Sequence, residues 1–201
     1  MEIAQRTRAQ PVDARPQVRA VARLLDEAVR TEDAEEAVSD DSVRVTTLLA
    51  VDPATAFAVF TEELDAWWRK GPRYRPVAHP QGVMRLEPGV GGRLLEVYGE
   101  RPEERVAIGR VRVWEPPSRL VLEWSDRGLA PGEETEVEIR FAPRKDGTLV
   151  ELEHRGFGAL RDDHPARRGL GRGPAFEASL GLFWGDLLVR ARDHARRRRA
   201  P

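Results

Sequence analysis

The chain has 201 residues, 40% of them hydrophobic, enough for one domain with a real core plus an appendage. Its formal net charge is −1, so no bulk field draws it to nucleic acid or to an anionic membrane. It has no cysteine, hence no disulfide framework, thiolate nucleophile or cysteine-ligated zinc, and no apolar run near the ~20 residues that span a bilayer. It reads as a cytoplasmic protein without a membrane span.

Residues 1–42 differ in character from the rest of the chain and read as an N-terminal extension, partly helical or disordered. Val18, Val21, Leu25 and Val29 recur at helical spacing, a narrow apolar stripe suited to weak self-association. The remainder, residues 43–201, reads as one domain.

Val43–Val51 alternates as a strand, with Val43, Val45, Thr47, Leu49 and Val51 on one face. Asp52-Pro53 then starts a helix, an acid at the N-cap and a proline at the first helical position. Phe57, Phe60 and Leu64 form its buried stripe. Trp67 and Trp68 close a second short helical turn before Gly71-Pro72, and a polar loop runs from Arg73 to Gln81.

Val83–Glu87 and Arg93–Tyr98 form the next strand pair around a glycine-rich turn. That turn is no phosphate loop, because no Lys-Ser/Thr and no helix come after it. Val106–Trp114 and Arg119–Trp124 flank Glu115-Pro116-Pro117-Ser118 and make a long hairpin. Alternation puts Ala107, Gly109, Val111 and Val113 on its dry face and Arg110 and Arg112 on the other. Glu134–Phe141 and Thr148–Arg155 come next around Lys145-Asp146-Gly147, with Val150, Leu152 and His154 inward. Outward Glu136 and Glu138 are expected to meet Arg110 and Arg112 across strands.

After the basic, Gly-rich loop Gly156–Pro174, a helix runs from about Ala175 to Arg197. Phe176, Leu180, Phe183, Leu187 and Ala191 mark one face, widened by Trp184 and Leu188. The order is strand, two short helices, about six more strands and a long helix. It predicts an α+β fold in which a curved antiparallel sheet of about seven strands wraps a C-terminal helix. The space between sheet and helix is the natural pocket, roughly 300–1,000 Å³ if it takes a small molecule.

Trp67, Trp68, Tyr98, Val111, Trp124, His154, Phe183 and Trp184 are its candidate ligand-binding residues. Ala107 and Gly109, opposite the helix, are expected to leave that space unfilled. His154 is the one polar group expected deep inside, either an acid/base or a core histidine bonded to backbone, Glu96 or Tyr98. Asp162-Asp163-His164 has poor spacing for a metal and reads as solvated loop, and no nucleophile motif appears. The tail RARDHARRRR, from Arg190, sets cations where the helix dipole favours them. No metal, cofactor or nucleic-acid partner is expected.

The blocks AFAVFTEELDAWW from Ala56, LEPGVGGRLLE from Leu86, GRVRVWEPPSRLVLEW from Gly109, TEVEIRF from Thr135 and DGTLVELEHRGF from Asp146 stand in an order of their own. That order resembles the SRPBCC superfamily, the START-like helix-grip fold, and within it bacterial activator of heat-shock-90 ATPase homologues. Two departures stand out: Trp184 is displaced along the last helix, and Phe157 stands where tryptophan is frequent. The resemblance implies a helix-grip fold, which serves several activities. A non-catalytic module enclosing a small apolar or amphipathic ligand fits the residues best. A chaperone-ATPase cofactor, or a polyketide cyclase or dehydratase using His154, are the alternatives.

Overall fold

The computed structural model describes residues 42–124, 133–164, 167 and 169–198. The apolar stripe Val18–Val29 lies outside the described residues. Strand β1 (Ser42–Leu49) is succeeded by helices α1 (Pro53–Thr61) and α2 (Leu64–Trp67). Then come β2 (Val83–Leu86), β3 (Arg93–Val97), β4 (Arg105–Glu115), β5 (Arg119–Trp124), β6 (Thr135–Arg144), β7 (Gly147–Arg155) and α3 (Pro174–Arg198). The seven strands form one curved antiparallel sheet in the order β1-β7-β6-β5-β4-β3-β2, and the long helix lies across its inner face: the helix-grip fold.

Local chemistry explains the element boundaries. Asp52 caps α1 by accepting from Thr55 N at 3.0 Å and from the Thr55 hydroxyl at 2.7 Å, and Pro53 opens the helix. Gly147 turns β6 into β7 at φ +145°, where an added Cβ would lie 2.0 Å from the Leu49 carbonyl oxygen. Only glycine fits there.

The inner face is carried by Leu120, Leu122, Trp124, Val137, Ile139, Phe141, Val150 and Leu152. It packs against Trp184, Leu187, Leu188 and Ala191 of α3 and against Phe57, Phe60, Leu64 and Trp67. Strict alternation fails in β4. The pairing skips Ile108 opposite Leu94 and Leu95, and skips Arg112 between Val111 and Val113. Each bulge reverses the facing of the residues beyond it. Ile108 therefore joins the core while Ala107 is exposed, and Val113 pairs with outward Val121 whereas Trp114 pairs with inward Leu120. Ala107 thus leaves no space under the helix. Gly109 is required by close strand approach, since a Cβ would meet the Glu123 carbonyl oxygen at 2.5 Å.

The outer face carries a charge ladder that differs from the expected pairing, because β5 lies between β4 and β6. Arg112 pairs with Glu123, and Glu136 pairs with Arg155. Glu138, only 2% exposed, accepts from Arg119 at 2.6 Å and Arg140 at 2.9 Å, with Arg155 at 3.6 Å. Burial pushes the Glu138 pKa up, but hydrogen bonds from Arg140 and Arg119 outweigh it and leave the group below the ordinary glutamate value.

Candidate functional site

Where the inner face meets α3, the tryptophans pack on one another. Trp68 stacks on Trp124 at 6.2 Å between centroids, and Trp184 meets Trp68 at 6.1 Å and Trp124 at 5.4 Å, edge to face. Trp67 closes the cluster and donates from Nε1 to the Val59 carbonyl at 2.8 Å. Only about 20 Å³ of void remains among these rings, with Leu122 and Leu152 beside it. This stretch is core.

The open space lies at one end of the sheet. A cavity of about 140 Å³ is floored by Ile108, Trp124, Thr135 and His154 and roofed by Phe176, Ser179, Leu180 and Phe183 of α3. Two loops close its sides, Pro72–Pro76 on one and Phe157, Leu160 and Arg167 on the other. Trp124, His154 and Phe183 border it. Trp67, Trp68, Val111 and Trp184 are buried in the core behind it, and Tyr98 stands at the end of β3, bonded to the Glu103 carbonyl and stacked on His79. The volume is below that of a typical drug-sized pocket and close to that of a cavity that takes one benzene ring, about 150 Å³.

The first loop is a strap. Gly71, at φ +111°, turns the chain back, and Tyr74 stacks on Phe183 with centroids 5.3 Å apart. Behind Tyr74, the Arg75 side chain is wholly buried and makes four hydrogen bonds. Its guanidinium donates to Asp65 at 2.7 Å, Gly82 O at 2.5 Å, Trp68 O at 3.1 Å and Arg69 O at 3.3 Å. Buried Glu96, on the inner side of β3, accepts from Val77 N at 2.8 Å and His79 N at 3.3 Å, which pins the strap's far end.

His154 is 4% exposed, and both ring nitrogens are engaged. Trp184 Nε1 donates to Nδ1 at 3.1 Å, and Nε2 lies 2.9 Å from the Thr135 hydroxyl. Indole is a donor only, so Nδ1 is the acceptor and the proton sits on Nε2. Burial pushes the imidazole pKa down to about 3. The partners are thus Thr135 and Trp184, rather than the Glu96, Tyr98 or backbone groups expected from the sequence. A histidine held neutral this far below neutrality is poorly matched to acid/base work at pH 7.

The second loop also departs from expectation. Asp162 and Asp163 are exposed and pair with Arg172 and Arg161, but His164 is buried, with Nε2 3.6 Å from Glu133. Among the described residues, no cluster of three histidines or carboxylates is placed to hold a metal. Sequence reasoning missed Arg167, which is 2% exposed and donates to four carbonyls, those of Arg161, Gly171, Phe157 and Leu160. The available signal was Phe157 and Leu160, two apolar residues in a loop otherwise basic and glycine-rich. They pack with Phe176 of α3 as a small second core.

Sheet, helix and end cavity together define a helix-grip protein. The family described as "Activator of Hsp90 ATPase homolog 1-like protein" matches residues 50–172, and the chain belongs to it. No curated protein matches the chain. Among solved structures it is similar to protein NE0264 from Nitrosomonas europaea, at 17% identity and a TM-score of 0.54, covering 81% of this chain and 99% of that one. A protein from Rhodobacter sphaeroides gives 19% identity and 0.52 over 79% and 95% of the two chains. An Hsp90 activator from Plasmodium falciparum gives 17% and 0.50 over 74% and 94%. At these identities the likeness is one of fold. No helix among the described residues is long and apolar enough to cross a membrane.

Proposed function

We propose that the protein is a non-catalytic binding module that holds one small amphipathic molecule in the cavity between the sheet end and α3. The observation that carries this is the division of the interior. The middle of the grip is filled with stacked tryptophans, while the end retains about 140 Å³ walled by Trp124, Phe157, Phe176, Leu180 and Phe183. Aromatic and aliphatic walls give a nonpolar body its driving force, about 25 cal/mol per Å² removed from water. The size suits a single ring or a short branched chain.

His154 supports this reading over acid/base catalysis. Its two bonds and low pKa make it a fixed, neutral part of the floor. Native mass spectrometry of protein purified without added ligand tests the proposal. The expected result is a low-molecular-mass species that stays bound in gentle ionisation and leaves on denaturation. A ligand-free spectrum, together with no response to ring-sized amphipaths, would contradict it.

A further inference from the structure

Three arginines line the cavity, Arg73, Arg75 and Arg167, and no carboxylate stands among its described lining residues. The chain as a whole has 33 basic and 34 acidic residues, so this wall is strongly one-sided. Arg75 has its acid in Asp65 at 2.7 Å. Arg167 does not. Its four bonds all run to backbone carbonyls, at 2.6, 3.2, 3.2 and 3.3 Å, and no carboxylate lies within ion-pair distance of it among the described residues.

Its guanidinium carbon sits 5.1 Å from the Phe176 ring centroid, against the roof of the cavity. Carbonyl dipoles offset part of the cost of burying a cation, but full compensation takes an anion. Guanidinium has five N–H donors, and these bonds occupy one at Nε, one at Nη1 and two at Nη2, leaving one Nη1 hydrogen unassigned.

Resting on the binding-module reading, we propose that the ligand is a small carboxylic acid. Its ring or chain lies on Trp124 and Phe183 and its carboxylate meets Arg167. The Ser179 hydroxyl, from the α3 roof of the cavity, is assigned as the second donor. Two donors match the two oxygens of a carboxylate, and a phosphonate, with its third oxygen, is the anion to set against it. His154 and Thr135 are bonded to each other at 2.9 Å and contribute shape rather than charge.

Isothermal titration of the full chain with phenylacetate, its neutral isostere phenylacetamide and benzylphosphonate tests this. Phenylacetate should bind about tenfold or more tighter than phenylacetamide, the scale of one charge-assisted hydrogen bond. The variant Arg167→Gln should remove that preference, so that phenylacetate and phenylacetamide bind it equally. Should Arg167→Gln not fold, Arg167→Lys keeps the charge but shortens the reach, and the preference should fall. Equal binding of acid and amide, or a preference unchanged in whichever variant folds, overturns the carboxylate assignment while the binding module stands. Tighter binding of benzylphosphonate overturns the choice of anion. Binding of none of the three removes the binding-module reading and this inference together.

Discussion

The indole N–H of Trp184, on α3, donates to Nδ1 of His154, on β7, across 3.1 Å. The bond ties the long helix to the sheet at the one inward position of β7 that carries an imidazole. It also fixes the histidine tautomer, because a protonated Nδ1 could not accept. His154 Nε2–H then donates to Thr135 at the start of β6, and the Thr135 hydroxyl lies 3.5 Å from the Trp124 carbonyl. Helix, β7, β6 and β5 are thus linked through one neutral imidazole.

That arrangement makes stability pH-dependent in a defined direction. His154 has a folded pKa of about 3, pushed down by burial, against about 6.5 when unfolded. Below pH 6.5 the unfolded chain takes up a proton that the folded chain refuses, so stability falls with pH across the window from 6.5 to 3. Between about pH 7 and pH 5 this one group should remove about 2 kcal/mol. His154→Gln, which retains an acceptor and a donor, should lose that much less over the same interval in denaturant unfolding. Equal losses in the two proteins would contradict the assignment.

Glu138 adds a loss of the same sign at lower pH. Its carboxylate, between Arg119 and Arg140, has a lowered pKa and stabilises the fold above the ordinary glutamate value. Glu138→Gln should cost about 1–3 kcal/mol at pH 7, since the arginines lose the charge they surround. The gap between variant and wild type should close as pH drops through the folded pKa, and a pH-independent gap would assign the cost to packing.

Arg75 holds the strap from inside. Arg75→Ala would remove the donor to Asp65 and to three carbonyls, a loss of about 1–3 kcal/mol for buried acceptors left without a partner. Hydrogen exchange should show amides of the strap opening, Tyr74 and Val77 among them, while the β5–β6 ladder stays protected. Uniform acceleration across the sheet would mean that Arg75 serves the whole core rather than the strap.

The chain from Ser42 onward should fold by itself. β1 begins at Ser42, and the core cluster is drawn from Leu49 to Ala195. A variant lacking residues 1–41 is expected to melt in one cooperative calorimetric transition. An insoluble or molten product would show that the extension contributes to the core.

Much of this was legible in the sequence because it comes from local chemistry. Asp52-Pro53 wrote the start of α1, Lys145-Asp146-Gly147 wrote the last hairpin, and period-two alternation turned His154 inward in β7. β4 was misread at the two places where the pairing skips a residue, Ile108 and Arg112, since a bulge has no fixed signature in composition. The site was harder. That tryptophans are buried is readable; that Trp68, Trp124 and Trp184 touch, and so fill the middle of the grip, depends on three separate elements meeting. Arg167 was hidden for a related reason. Its burial comes from the packing of Phe157 and Leu160 on Phe176, and an arginine in a basic loop otherwise reads as solvated.

The central claim is that the end cavity takes the ligand. Tryptophan fluorescence titration with phenylacetate, run on wild type and on Ser179→Phe, tests it most directly. Trp124 lies on the cavity floor and should report occupancy, while a phenyl ring introduced from α3 would occupy most of about 140 Å³. The account predicts saturable quenching in the wild type and its loss in a Ser179→Phe variant whose melting temperature is unchanged. Saturable quenching that survives unaltered in that variant would place binding elsewhere and contradict the account.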